Sequence, residues 1–304
     1  MHVLVTGATG FLGRHIVAAL KERGDTITVT SRDVEKASRV LGADVRPFAW
    51  DYRGEDFPAE ALEGVDAVIH LMGENVGDGR WTDSRKIAIR ESRVMATAKL
   101  VAGLPDSVRV FLASSAIAYY PSSDTKVFAE SDEAQARGFL GGVVHEWEER
   151  IRAAGENDKR RVAWFRIGLV LGHQGLLAQL LPMFRWGLGG NIGDGRSWVS
   201  WIHIDDQIRM IMQALDNEKM SGPLNGVAPG LVRYDEFAKT IARLLRRPSF
   251  FTTPRFVLKL ALGEASELPL SSIAMEPVAA SAAGFEFKYR ELEPALASLI
   301  RSRD

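Results

Sequence analysis

His2-Val3-Leu4-Val5-Thr6-Gly7-Ala8-Thr9-Gly10-Phe11-Leu12-Gly13 opens the chain, and its reading decides the fold. The residues from His2 to Thr6 form a short apolar strand. From Phe11, apolar side chains recur at Leu12, Ile16, Ala19 and Leu20, the spacing of a helix, and Gly24 can stop it. Three glycines therefore lie in the turn between a strand and a helix. There the first permits a tight turn, the second lets backbone approach a pyrophosphate, and the third lets the helix pack close to the strand. The helix N-terminus adds unpaired N–H groups and the positive end of a dipole. A glycine turn without a ligand is the alternative, but the strand-turn-helix setting favours a dinucleotide. Gly7, Thr9, Gly10, Phe11, Leu12 and Gly13 are the expected cofactor contacts.

Working outward, Thr26 to Ser31 reads as a second strand rich in β-branched residues. Further strands are expected at Asp44 to Trp50, Ala67 to Met72 and Arg109 to Ala113. Between the last two, Thr82 to Ala102 carries Ile87, Val94, Met95, Ala98 and Val101 on roughly one helical face. Strand and helix in alternation imply right-handed crossovers and an α/β, Rossmann-type doubly wound parallel sheet. The chain has 304 residues, enough for one large domain or two lobes. We expect a nucleotide-binding domain over 1–171 and a smaller mixed lobe over 172–304, with a small C-terminal domain from about 247; the lobes can interleave. The net charge of −1 leaves no global basic field for nucleic acid. Without cysteine, a disulfide framework, a thiolate zinc site and a cysteine nucleophile are excluded. No apolar run approaches a membrane span, and the N-terminus lacks the order of a secretion signal. A soluble cytoplasmic protein, monomer or homodimer, acting on a small molecule is expected.

The second strand ends Val29-Thr30-Ser31-Arg32, where an NAD site usually carries Asp or Glu. A guanidinium suits a 2′-phosphate instead, offering charge and forked donors. NADP(H) is favoured, while Asp33 next door keeps NAD(H) open.

The string from Thr6 to Gly13 resembles the extended short-chain dehydrogenase/reductase superfamily, which includes sugar-nucleotide epimerases and dehydratases. His70-Leu71-Met72-Gly73 resembles its strand-end segment near the cofactor, and Ser114-Ser115-Ala116 its serine-bearing strand end. Arg166 to Gly172 and Trp201 to Asp206 also have counterparts there. A narrower resemblance covers nearly the whole chain. Glu74-Asn75-Val76, Arg80-Trp81-Thr82, Phe139-Leu140, Trp147-Glu148 and Gly187 to Gly190 look like the atypical "epimerase family" branch, the YfcH-like proteins. The segment from about Arg247 to Leu299 resembles that branch's small C-terminal domain of unknown function. The resemblance implies cofactor contacts at Leu71, Met72, Gly73 and Ser114, and an NAD(P)-dependent epimerase, dehydratase or reductase with no defined substrate.

Members of the superfamily that move a hydride use a Tyr-x-x-x-Lys helix, whose phenol is the acid or base. Counting back from Trp147-Glu148, the tyrosine position holds Phe139 and the lysine position Val143, neither of which can exchange a proton. Ser115 matches the superfamily's serine, and Tyr119 or Tyr120 beyond it offers a substitute phenol; core packing is the alternative for both tyrosines. Ser115 and Tyr119 are the catalytic candidates. Glu130 and His145 could titrate nearby, though such residues are more often solvated surface groups.

Gly77-Asp78-Gly79-Arg80-Trp81 has a partner in Gly193-Asp194-Gly195-Arg196-Ser197-Trp198. Arginine can fork onto an anion and tryptophan can stack on a ring. On that reading Asn75, Arg80, Trp81, Arg196 and Trp198 bind substrate and both loops face one pocket; coincidence between two flexible turns is the alternative. Val199 stands where nucleotide-sugar enzymes of the superfamily often carry arginine, which weakens that substrate class. Asp205 and Asp206 are read as caps of a helix Gln207 to Leu215 rather than metal ligands with His203. The helix Tyr234 to Arg246 buries Phe237, Ile241, Leu244 and Leu245 and has a basic end. Two functions remain: an NADP(H)-dependent epimerase or oxidoreductase on a small polar or anionic substrate, or a non-catalytic NADPH-binding sensor or scaffold.

Overall fold

The computed structural model describes residues 1–54, 56–156 and 159–301. Seven strands form one sheet: β1 (His2–Thr6), β2 (Thr26–Ser31), β3 (Arg46–Ala49), β4 (Ala67–His70), β5 (Val110–Ala116), β6 (Arg161–Ile167) and β7 (Gly222–Gly226). Their order is β7-β6-β5-β4-β1-β2-β3, every neighbouring pair parallel. Val3, Leu4, Val5, Val68, Ile69 and Leu112 are buried, as expected for strands covered on both faces. The winding direction reverses between β1 and β4, so their carboxyl ends open a crevice. There Thr6 pairs in register with Thr30 on one side and His70 on the other.

Helix α1 (Phe11–Arg23) buries Gly13, Ile16, Val17 and Leu20 and ends at Gly24, whose φ of 81° closes the last turn. With α2 (Val34–Leu41) it covers one face of the sheet. The opposite face carries α3 (Asp83–Glu91), α4 (Val94–Ala102) and α5 (Gly138–Ala153), with Val94, Leu100, Trp147 and Ile151 in its core. Beyond β6 follow α6 (Gly175–Arg185), α7 (Ile204–Asp216), α8 (Tyr234–Leu244) and the last helix, Leu292–Arg301; α6, α8 and the last helix enclose Leu177, Phe184, Trp201, Phe237, Ile241 and Leu296. The chain also returns: α7 packs Met210, Ile211 and Ala214 into the core beneath α1, and β7 extends the central sheet. Among the described residues no helix is long and apolar enough to cross a membrane.

Five expectations need correction. The third strand covers only Arg46–Ala49, and β4 stops at His70, releasing Leu71 to Gly73 into a loop. β5 runs on to Ala116, so Ser114 and Ser115 sit inside the strand, opposite Phe165 and Arg166. The stretch Thr82 to Ala102 is two helices. The Ser92 hydroxyl, buried at the break, donates to the Ile89 carbonyl and accepts from the Glu74 N–H, and the turn puts Ile89 inward while Ile87 is 56% exposed. Finally, α7 begins at Ile204, with the His203 imidazole accepting from the Asp205 N–H at 3.0 Å. Asp206 instead accepts from the Lys288 and Tyr289 N–H groups at 2.9 and 2.8 Å, tying the C-terminal segment to α7.

Candidate functional site

The glycine loop is dictated by contact with the neighbouring strand end. Gly7 has φ of 68°, and a Cβ there would lie 2.8 Å from the Leu71 backbone. A Cβ on Gly13 would collide with the Gly7 carbonyl oxygen and stand 2.7 Å from the Ala8 Cα. Gly10 is exposed and caps α1 with no side chain, and the first turn of α1 holds no acidic residue. The positive helix end is thus neither capped nor neutralised, an arrangement suited to a diphosphate. Thr9 and Leu12 flank it, half-buried. The Phe11 ring packs on Gly172, where a Cβ would come within 2.5 Å of it, joining the loop to the segment after β6.

His70 braces the crevice from below. Its Nδ1 lies 2.7 Å from the Thr6 hydroxyl and its Nε2 2.9 Å from the Thr97 hydroxyl, which also accepts the Trp147 indole N–H at 3.0 Å. Complete burial pushes its pKa down to about 3. The folded state therefore refuses a proton that the unfolded chain takes up near its ordinary value of about 6.5. Stability from this group is present above that value and is lost as pH falls toward 3. We expect the unfolding free energy to lose about 1.4 kcal/mol per pH unit between roughly 6 and 4 through this residue alone. Urea titrations at pH 6 and 4.5 check it: His70→Gln should flatten that slope, and an unchanged slope would refute the assignment.

The loop after β4 gathers arginines. The Glu74 carboxylate lies 3.6 Å from Arg32, 3.4 Å from Arg53 and 3.7 Å from Arg85. Arg93 slips beneath, donating to the Ile89 and Glu74 carbonyls at 3.1 and 3.0 Å; enclosure lowers its pKa to about 10, so it stays charged near neutrality. Gly73 makes room, since a Cβ there would be 3.0 Å from that guanidinium. Arg32 was expected here. Arg53, Arg85 and Arg93 were not, because they lie on three separate segments and no local pattern joins them. Asp33 caps α2, accepting the Lys36 N–H at 2.8 Å.

Ser114 donates to the His70 carbonyl at 3.3 Å, and Ser115 to Glu148 at 2.7 Å. Glu148 and Arg166 form a buried fork, with Nε and Nη2 each 2.9 Å from a carboxylate oxygen. Arg166 Nη1 also donates to the Tyr120 hydroxyl at 2.7 Å; that phenol lies 2.9 Å from the Ala129 carbonyl, and burial pushes its pKa up to about 12. Tyr120 is therefore structural. Tyr119 lies under the Arg166 guanidinium, 3.4 Å from ring centroid to Cζ, and stacks on His145 at 4.4 Å. Both His145 nitrogens face carbonyls, of Gly141 and Ala134. Tyr119 and Glu130 meet in a groove of about 460 Å³ with Arg152, Trp164 and Arg166, whose lining includes no residue of the glycine loop. One Glu130 oxygen accepts the Asn225 N–H at 2.9 Å; the other is buried without a partner. Phe139 packs its ring on Trp81 at 5.4 Å, and Val143 is buried.

The paired loops behave differently. Arg80 donates to the Leu260 and Ala261 carbonyls at the end of helix α9 (Arg255–Leu262), and the buried Trp81 donates to Val76. Asn75 folds back on Asp78 and the Gly77 N–H. The second loop lines a cavity of about 380 Å³ with Asp124, Asp194, Arg196, Ser197, Arg233 and Arg255, to which the first contributes nothing. Trp198 is the platform beneath Arg233, whose guanidinium lies 3.4 Å from the ring centroid. Among the described residues no group of three or more acidic or histidine side chains is placed to hold a metal.

A parallel sheet with a glycine turn at its reversal point defines a nucleotide-binding α/β protein, and comparison with known proteins makes that specific. The profile of the NAD dependent epimerase/dehydratase family matches residues 3–225, and this chain belongs to that family. A domain of unknown function, DUF1731, matches residues 253–299. The chain is 36% identical to the chloroplastic epimerase family protein SDR39U1 homolog of Arabidopsis thaliana, covering 99% of this chain and 87% of that protein. It is 35% identical to epimerase family protein YfhF of Bacillus subtilis, over 100% and 99% of the two chains. The crystal structure of human epimerase family protein SDR39U1 with NADPH superposes with a TM-score of 0.88 at 30% identity, covering 99% of each chain. The resemblance drawn from the motifs, including the C-terminal domain, holds.

Proposed function

We propose that this protein binds NADP(H) across the glycine loop and passes a hydride to or from a small polar or anionic substrate. The observation that carries the reading is the uncapped, unneutralised N-terminus of α1 behind the Gly7 turn. The NADPH-bound human relative supports the choice of cofactor, as does Asp33, whose carboxylate is engaged in capping α2. When bound, the nicotinamide supplies or accepts the hydride. The loop from Gly7 to Gly13 would hold the diphosphate, Arg32 the 2′-phosphate, and Leu71, Met72, Gly73 and Ser114 the walls of the crevice. Ser115 has its proton engaged by Glu148, so it would meet a substrate hydroxyl as an acceptor, with Tyr119 the remaining candidate phenol. Arg196, with Arg233 and Arg255, would take an anionic group of the substrate; Trp198 steadies that cavity, while Asn75, Arg80 and Trp81 shape the opposite loop.

Thermal melting with excess cofactor tests the binding. NADPH at 100 times its Kd should add about 2.7 kcal/mol of stability. Absence of any shift or fluorescence change with NADPH, NADP+ and NADH would remove the reading's foundation. A second reading, a sensor or scaffold without turnover, draws on Phe139 and Val143, which leave α5 without a proton-exchanging group at those positions. Stereospecific hydride loss from bound NADPH to any metabolite would decide for the enzyme.

A further inference from the structure

We propose that Glu74 is a resident counter-ion inside a three-arginine phosphate site, and that the 2′-phosphate of NADP(H) takes its carboxylate's place between Arg32, Arg53 and Arg85. The inference rests on the NADP(H) reading and extends the phosphate contact from one arginine to three. Arg32 follows β2, Arg53 follows β3 and Glu74 follows β4, while β1 lies between β2 and β4. The Arg32–Glu74 ion pair therefore spans the carboxyl end of β1, where the glycine loop starts. The residue following β2 is the one that meets the ribose 2′ position in this architecture.

The distances describe a poor fit for a carboxylate. One Glu74 oxygen is shared by Arg32 at 3.6 Å and Arg53 at 3.4 Å, and the other faces Arg85 at 3.7 Å. Charge-assisted pairs of this type close to about 2.7–2.9 Å when they are well made. Two oxygens cannot serve three forks, whereas a phosphate brings three terminal oxygens and up to two charges. Donors are left over: Arg85 Nε is buried with no partner, and so is the hydroxyl of Tyr52 beside Arg53. The other carboxylates, Asp51 on Arg53 and Asp78 on Arg85, stand at 4.0 and 3.8 Å. With Arg93 beneath the loop, four guanidiniums gather around Glu74, and Asp51, Asp78 and Glu91 complete the set of nearby carboxylates.

The loop is also built to let the carboxylate go. Arg93 and Ser92 hold the Glu74 main chain through its carbonyl and its N–H, both at 3.0 Å. The backbone is pinned while the side chain is held only at long range. An incoming dianion can displace it without moving the loop. Glu74 would meanwhile keep three like charges from repelling one another in the free protein.

Binding, not turnover, tests this. Wild type and the variants Arg53→Ala, Arg85→Ala and Glu74→Gln are titrated with NADPH and NADH by tryptophan fluorescence, and with 2′,5′-ADP and 5′-AMP by calorimetry. Circular dichroism confirms folding of each variant. Losing one charge-assisted contact should weaken NADPH and 2′,5′-ADP about 10-fold, leaving NADH and 5′-AMP within about 2-fold. Glu74→Gln should tighten NADPH and 2′,5′-ADP several-fold at low salt and leave NADH unchanged. Equal effects on phosphorylated and unphosphorylated ligands, no effect from either arginine, or weaker NADPH binding to Glu74→Gln would overturn the proposal while NADPH binding itself stands. If wild type binds none of the four ligands, the NADP(H) reading falls and takes this one with it.

Discussion

Gly13→Val is expected to weaken NADPH binding on the order of 100-fold and to destabilise the fold by about 1–3 kcal/mol. The added atoms would meet the Gly7 carbonyl oxygen and the Ala8 Cα, at 2.7 Å for the latter, and both are backbone. No flexible side chain can yield, so α1 must move off the turn and carry its N-terminal N–H groups with it. Gly7→Ala adds a conformational cost of about 1–2 kcal/mol at φ of 68° to a contact 2.8 Å from the Leu71 backbone. Gly24→Ala is the control: its φ is 81°, yet nothing lies within 4 Å of the added Cβ. It should cost a similar strain and leave NADPH affinity unchanged. Urea midpoints and fluorescence titration of the three variants separate the two effects. If Gly24→Ala weakened NADPH as much as Gly13→Val, the loss would be one of general stability, and the close strand-helix contact would not be what the cofactor needs.

These glycines were legible because their cause is local: a strand, a turn and a helix adjoin in sequence, and periodicity marks all three. The bounds of β1 and β2 and the αL stop at Gly24 were readable for the same reason. What failed was set by distant partners. The break between α3 and α4 depends on Ser92 reaching the Glu74 N–H, eighteen residues earlier in the chain. β5 outruns its apolar stretch because Ser115 finds Glu148 on α5 and keeps its place in the sheet beside Arg166. The arginines around Glu74 come from three segments whose meeting only the sheet order creates. The loops at Gly77 and Gly193 share a pattern without sharing a cavity, because Arg80 spends its donors on the end of α9.

Arg166→Met is expected to cost about 3 kcal/mol, because it removes the buried half of Glu148's charge compensation and leaves that carboxylate with the Ser115 hydroxyl and the half-exposed Arg152, 3.0 Å away. Arg166 is 1% exposed and Glu148 fully buried, and the fork between them also fixes the Tyr120 hydroxyl and the Ser115 proton. Glu148→Leu alone should cost a similar amount, leaving a buried guanidinium with only the phenol and the distant Glu130 carbonyl, 3.4 Å away. The double variant Glu148→Leu/Arg166→Met removes both charges and should recover most of that loss, since desolvating the pair offsets much of its attraction. Urea unfolding of the four proteins gives the coupling directly; additive single losses would mean that the pair is screened or wet. The double variant also isolates Ser115. With Glu148 gone, its hydroxyl is free to donate, so any hydride transfer that needs Ser115 as an acceptor should fall in the double variant although its fold is restored. An unchanged rate in a stable double variant would instead confine Ser115, Glu148 and Arg166 to the architecture of the sheet.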